Sequence, residues 1–165
     1  MVINGIAYEG IVNIQLKRGK KIKYNYIIHN EGTQLLFQGI ASCLVQAPNS
    51  KLLPNYIGVG LGGGAKQSPY KLNSEIVRVP IPNKGTIQEN LVVSDGDALI
   101  GNGWKAIFKA TIPSSSLSEN TIREIGLFGE KTGDNLLARL TPDRPINVEE
   151  GMSVTIEWIM YIKNA

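Results

Sequence analysis

Cysteine and histidine are almost absent from this chain, which has one of each, Cys43 and His29, among 165 residues. A single cysteine excludes a disulfide within the chain and any metal site that needs several thiolates. A single histidine removes most metal centres and most acid–base pairs that are built on imidazole. Composition therefore makes an enzyme a less expected function than a non-catalytic protein.

Charged and aromatic residues are also sparse, at 19% and 7% of the chain. The 17 Lys and Arg against 14 Asp and Glu give a net charge of +3, which is too mild to predict nucleic acid as a partner. No apolar run approaches the roughly 20 residues that span a bilayer, and the first residues show no targeting segment. We therefore expect no membrane partner and a chain that folds in a cytoplasm as it is encoded.

Alternation of apolar and polar residues, the pattern typical of half-buried strands, covers most of the chain. It predicts a basic hairpin over residues 10–29, with its turn at Arg18-Gly19-Lys20 and with one apolar face that belongs to the core. That face is formed by Ile22, Tyr24, Tyr26 and Ile28. Two further long strands are predicted over Trp104–Ile112 and Met152–Ile162, with Trp104 and Trp158 both on buried faces.

One helix is predicted over residues 33–46. Thr33 is the expected N-cap, Cys43 lies on the apolar stripe at helical spacing, and Pro48 ends the helix. The sequence therefore predicts a single domain, 1–165, that is all-β: an antiparallel β-sandwich with one α-helix packed at an edge or end.

Motifs that suggest catalysis or ligand binding are incomplete. Gly58–Gly63 has the spacing of a dinucleotide-binding turn, but no helical pattern follows it, so a loop or a close backbone approach is the better interpretation. Asp95-Gly96-Asp97 lacks the further ligands of a calcium loop. His29 ends a predicted strand and Cys43 lies on an apolar stripe, so both are interpreted as structural residues. No catalytic, cofactor-binding or metal-binding residue is predicted.

Glu124 is an acidic residue inside an apolar strand. If the hairpin over Ile122–Leu140 pairs Leu127 with Leu136, the antiparallel register places Glu124 opposite Arg139. The sequence therefore predicts a structural cross-strand ion pair between Glu124 and Arg139.

A cluster of basic residues occupies the turn of the N-terminal hairpin. Five of the 17 basic residues lie within seven positions: Lys17, Arg18, Lys20, Lys21 and Lys23. Such a cluster is a candidate contact for an acidic neighbouring surface. The alternative is a solvated hairpin whose charges protect a sheet edge from unwanted pairing.

From about Thr33 to Lys163, the order of motifs resembles that of small structural proteins of tailed-bacteriophage virions, of the tail-fibre, tail-collar and baseplate type. In these, an Ile-Gly-Val-Gly strand precedes a Glu-Ile-Gly-Leu-Phe and Leu-Leu-Ala-Arg hairpin and a closing strand with a tryptophan. The corresponding segments here are Tyr56–Gly60, Thr121–Phe128, Leu136–Leu140 and Ile156-Glu157-Trp158. The basic hairpin lies outside the resemblance.

The resemblance implies a non-enzymatic component of a virion that is assembled in a host cytoplasm. Its partners would be other virion proteins and further copies of itself, as a trimer or a ring of higher order. A capsid-bound head fibre or decoration protein remains the alternative within this class. A carbohydrate-binding β-sandwich module is the alternative from another class, although exposed aromatic residues are not expected from the pattern.

Overall fold

The protein is described by a computed structural model that covers residues 2–3, 6–32, 34–46, 48–62, 68–91, 102–117 and 121–164. The strands are β1 Val2–Ile3, β2 Ile6–Arg18, β3 Lys21–Gly32, β4 Tyr56–Gly60, β5 Glu75–Pro80, β6 Thr86–Leu91, β7 Asn102–Ile112, β8 Thr121–Ile122, β9 Glu124–Phe128, β10 Leu136–Leu140, β11 Ile146–Asn147 and β12 Ser153–Asn164. The helix α1 spans Gln34–Leu44, and short 3-10 turns span Ser50–Leu52, Pro82–Lys84 and Ser114–Ser116. The predicted cap Thr33, the loop positions Gly63 and Gly64, and the Asp95-Gly96-Asp97 motif lie outside the described residues.

The first sheet has the strand order β6-β7-β12-β2-β3 and is antiparallel throughout. Its long strands follow from the uninterrupted alternation of the sequence, which leaves one face apolar. On β2 that face is Val12, Ile14 and Leu16, all fully buried. The hairpin of β2 and β3 turns at Gly19-Lys20, as the sequence predicts.

The second sheet has the order β5-β4-β9-β10, and β10 joins it to the first sheet by pairing with the last two residues of β3. The core lies between the two sheets, because the largest buried cluster takes side chains from both of them. Trp158 and Ile14 come from the first sheet, and Ile125, Leu127 and Leu137 from the second. The predicted antiparallel β-sandwich with one helix is confirmed.

Helix α1 packs against β10 and places Leu36 in the core. Its last turn is exposed, with Leu44 at 75% of its accessible surface and Cys43 also exposed. The apolar stripe on which the sequence places Cys43 is therefore not buried along its whole length, because the helix leaves the core before it ends. His29 lies within β3 and not at the end of a strand, because the pairing with β10 extends β3 to Gly32.

The two tryptophans lie in different environments. Trp158 is fully buried and donates from Nε1 to Asn30 Oδ1 at 3.2 Å, but Trp104 is 56% exposed. The prediction that both are buried is wrong for Trp104. Ala110 and Ile112, further along β7, are buried, so the second sheet covers only the later part of this strand.

A β-bulge also changes the predicted face of β3. Leu16 pairs with Tyr24, but the next pair is Lys17 with Ile22, so one extra residue of β3 is inserted between them. Paired residues share a face and neighbours on a strand alternate, so Ile22 lies on the face of Lys17 and opposite to that of Tyr24. Ile22 is 48% exposed and Tyr24 46%, so their predicted place in the core is wrong.

Candidate interaction surfaces

Two glycines make room for an aromatic ring. Both belong to the motifs that resemble those of phage tail proteins, which we call the recognised motifs. Gly58 on β4 pairs directly with Gly126 on β9, and the Phe128 ring packs over both. A Cβ at Gly126 would lie 2.6 Å from Phe128 Cε2, and one at Gly58 would lie 2.9 Å from the same atom. Side chains at either position would displace the ring, which explains why both strands have glycine there.

Arg78 covers the other side of this ring. Its guanidinium carbon lies 3.5 Å from the Phe128 centroid, which is cation–π geometry. The same group donates to both carboxylate oxygens of Glu75, at 3.0 and 2.7 Å, and to the Glu130 carbonyl at 2.8 Å. The Arg78 side chain is only 5% exposed, so its donors are used within the chain. We call Gly58, Gly126, Phe128 and Arg78 the glycine–phenylalanine cluster.

Glu124 is buried where β9 meets the loop after β4. Its Oε1 accepts hydrogen bonds from the Ser74 amide at 2.9 Å and from the Gly62 amide at 3.2 Å. It pairs with Gly60, where a Cβ would lie 2.8 Å from Glu124 Oε1. This carboxylate therefore ties together the two ends of the β4–β5 connection.

The Glu124–Arg139 ion pair is present, with Arg139 Nε 4.0 Å from Glu124 Oε2, but the register used to predict it is wrong. Leu136 pairs with Phe128, and the register then shifts so that Arg139 pairs with Gly126. The pair is also buried, with 11% and 3% of the two side chains exposed. Burial lowers the pKa of Arg139, and the Glu124 carboxylate acts in the opposite direction. Within the described part of the chain, Arg139 Nε has no hydrogen-bond partner, although the guanidinium also donates to the Lys71 carbonyl.

Two clefts have charged residues that bind each other. A cleft of about 650 Å³ between β5 and β7 is lined by Lys109 and Glu157, whose Nζ and Oε2 are 3.1 Å apart. A cleft of about 450 Å³ includes Lys51 and Glu130, which form an ion pair at 3.3 Å. In both clefts these charges are engaged within the chain.

The basic hairpin is at the free end of β2 and β3. Arg18 binds Glu149 Oε2 at 3.0 Å, and the Tyr24 hydroxyl donates to Glu149 Oε1 at 3.2 Å. This hydrogen bond and the negative charge of Glu149 raise the pKa of Tyr24 above its usual value. The other basic side chains of the cluster have no carboxylate partner among the described residues: Lys17, Lys20, Lys21 and Lys23.

The margins of the first sheet carry exposed apolar side chains. On the β3 side, Ile27 is 60% exposed in addition to Ile22 and Tyr24; on the β6 side, Ile87 is 75% and Trp104 56% exposed. Isolated apolar residues are common on protein surfaces, but these form two groups, one at each side of the first sheet. Sequence periodicity did not identify them, because it indicates neither where a covering layer ends nor where a bulge moves a side chain to the other face.

In the part of the chain that the structure describes, no group of three or more His, Cys, Asp or Glu side chains is placed to hold a metal ion. No described helix is long and apolar enough to cross a membrane. Comparison of the chain with protein-family models, with curated protein sequences and with solved structures gave no significant match.

Proposed function

We propose that this chain is a non-enzymatic structural component of a tailed-phage virion, in the tail, collar, fibre or baseplate. In this proposal it assembles as repeated copies through protein–protein contacts. The observation that carries the proposal is the exposed apolar margin of the first sheet at Ile87 and Trp104. A neighbouring subunit that covers this margin removes apolar surface from water, which is the main source of assembly energy.

The recognised motifs support the proposal indirectly. Their glycines hold Phe128 and Arg78 in a packed cluster, so this pattern has a role in folding. The resemblance to phage tail proteins therefore rests on residues that stabilise a scaffold. In a protein whose function is assembly, we expect motif residues to stabilise the fold in this way.

The engagement of charged residues within the chain also favours a structural role. Lys109 with Glu157 and Lys51 with Glu130 are paired in the two clefts. Glu124 accepts two backbone hydrogen bonds. A general acid or base needs a side chain that is free to exchange a proton with a substrate.

A trimer or a ring of higher order is the assembly we propose, because both close without leaving one margin uncovered. In a ring, the Trp104 margin of one copy packs against a different surface of the next copy. A head fibre or decoration protein on the capsid would use the same margin, and only its position on the particle would differ.

A carbohydrate-binding module is a second candidate, and one observation favours it. Trp104 is 56% exposed and Tyr70 53%, and exposed aromatic rings stack on sugars. A glycan array separates the two functions. Saturable binding to a defined glycan that is lost in Trp104→Ala supports the module, and an array without binding supports the structural role.

Immunogold electron microscopy of purified particles tests the position. With an antibody against this chain, we expect gold at one site of the tail or baseplate in most particles. Gold over the head would instead support the capsid alternative. Particles that remain unlabelled, although the antibody detects the chain in the infected-cell lysate, would contradict both.

A further inference from the structure

Strand β3 has one edge that no described strand covers along most of its length. Its residues from Lys21 to Asn30, except the bulge residue Lys23, pair with β2 on one side, and its other side pairs with β10 only at Glu31 and Gly32. Among the described residues, no loop makes a backbone hydrogen bond to Lys21–Ile28. An edge strand has amide and carbonyl groups directed away from its sheet, so this segment has unused backbone donors and acceptors.

The side chains along this edge combine positive charge with apolar surface. Lys20, Lys21 and Lys23 are exposed and have no carboxylate partner among the described residues. Ile22, Tyr24 and Ile27, on the same strand, are 48%, 46% and 60% exposed. A strand that lay beside β3 would contact both kinds of side chain.

The hairpin already binds one carboxylate of its own chain. Glu149 accepts from Arg18 at 3.0 Å and from the Tyr24 hydroxyl at 3.2 Å, one oxygen for each donor. Arg18 and Tyr24 are thereby engaged, and the lysines remain for a second acidic group. The chemistry that complements this edge is therefore an extended segment in which carboxylates alternate with apolar side chains.

We propose that the open edge of β3, Lys21–Ile28, is the docking site for an extended acidic segment of a different virion protein, which adds to the first sheet as a further strand. The main-chain hydrogen bonds of the added strand supply affinity, and its carboxylates at Lys20, Lys21 and Lys23 supply specificity. This inference rests on the proposed virion function and names a partner for it. It is separate from the Trp104 margin, which is on the other side of the sheet.

A second copy of the same edge does not fit this site. Two β3 edges paired antiparallel over Lys21–Ile28 would place Lys21 of each copy beside Ile28 of the other and Lys23 beside Tyr26, so the lysines would gain no carboxylate and their charge would stay uncompensated. The edge therefore disfavours self-association and favours an acidic partner.

Peptide binding tests the inference directly. The probe is a capped ten-residue peptide that alternates valine and glutamate, with a fluorophore at one end and fluorescence polarisation as the readout. One control peptide replaces each glutamate by lysine. The other keeps all side chains of the probe but carries N-methyl groups on alternate amides, so that it cannot pair along one of its edges.

We expect the glutamate peptide to bind, with an affinity that falls as salt rises, and both control peptides to bind at least tenfold more weakly. The double variant Lys21→Ser/Lys23→Ser is expected to bind the probe about tenfold more weakly than the unchanged protein. The matched control Lys71→Ser/Lys131→Ser, which removes two exposed lysines elsewhere, is expected to bind it equally well. Circular dichroism of both variants checks that the fold is retained.

Three results would overturn the inference. Equal binding of the N-methylated peptide would show that the peptide does not bind as an added strand. If no peptide binds, the lysines only protect the edge from pairing. Self-association that is lost in Lys21→Ser/Lys23→Ser would make a second copy the occupant. Peptide binding by a protein that is absent from virions would leave this edge in place and contradict the virion function, so the two failures are distinguishable.

Discussion

The outer face of the second sheet and the margins of the first sheet both lie outside the main core, but they differ in how far their apolar side chains are covered. On the second sheet, Gly126 and Gly58 let Phe128 lie close to the strands, and Arg78 covers the ring. On the first sheet, Trp104 and Ile87 on one side and Ile27 on the other remain in contact with solvent. Apolar side chains are therefore covered by the chain itself at the first place and are largely exposed at the second. The margins, and not the recognised motifs, are where contacts with other molecules are expected.

Removal of one aromatic ring from each region should give the largest contrast. Phe128→Ala leaves a cavity at a fully buried position and should lower the free energy of unfolding by about 3–5 kcal/mol. Trp104→Ala removes a side chain that is 56% exposed and should cost about 1 kcal/mol or less. Urea denaturation followed by circular dichroism measures both variants. Equal losses would mean that Trp104 is a core residue of the monomer.

Side chains added at two glycines should give a smaller contrast in the free energy of unfolding. In Gly126→Ala the new Cβ meets Phe128 Cε2 at 2.6 Å and Leu136 Cδ1 at 2.7 Å, and we expect a loss of about 1–3 kcal/mol from overpacking. Gly19, in the turn of the basic hairpin, has φ +60 and open space around it. Since asparagine tolerates this conformation, Gly19→Asn should change the free energy of unfolding by about 0.5 kcal/mol or less. Thermal unfolding of the two variants checks this order, and a larger effect at Gly19 would contradict it.

Two glutamates test the same difference for charge. Glu124→Gln weakens two backbone hydrogen bonds and leaves Arg139 without its buried counter-charge, so we expect a loss of about 1–2 kcal/mol. Glu149→Gln affects an ion pair whose side chains are 55% and 51% exposed, and its cost should stay below about 1 kcal/mol. Denaturation in low and high salt measures the free energy of unfolding of both variants. The loss caused by Glu149→Gln should be smaller at high salt, and the loss caused by Glu124→Gln should not change.

Titration of Tyr24 should give the smallest effect. Its bond to Glu149 raises the pKa of Tyr24 in the folded protein, so its hydroxyl should lose its proton at a higher pH than the hydroxyl of an unfolded chain. The stabilising effect of this bond is therefore present below the unfolded pKa of about 10. It is lost as the pH rises through the folded pKa. NMR of ¹³C-labelled tyrosine follows the titration. In Glu149→Gln the midpoint of Tyr24 should fall toward the usual value, and an unchanged midpoint would exclude Glu149 as the cause.

Sequence periodicity predicted the parts of the fold that depend on local pattern. The hairpin turn at Gly19-Lys20, the strand β7 and the one helix agree with the structure, because alternation and helical spacing are properties of neighbouring residues. Strand β6 was not predicted, since Thr86–Leu91 has few apolar residues.

The remaining errors have two physical causes. The bulge at Lys23 moves Ile22 to the other face, and the register shift between Leu136 and Ala138 changes the pairing of Leu127. An inserted residue reverses every face beyond it, and no local pattern marks the insertion. Trp104 was predicted to be buried because alternation indicates which face a residue is on, but not how far the second sheet extends over that face. The exposed apolar margin at Trp104 depends on this extent and was therefore beyond prediction, whereas the basic cluster on the β3 side was identified from the sequence.

Quantitative mass spectrometry of purified virions tests the central claim most directly. If the chain is a structural component, it should be present in particles of the phage that encodes it, at a constant ratio to the other virion proteins across preparations and after a high-salt wash. If it is found only in the lysate as a free monomer, and is absent from washed particles, the proposed function is contradicted.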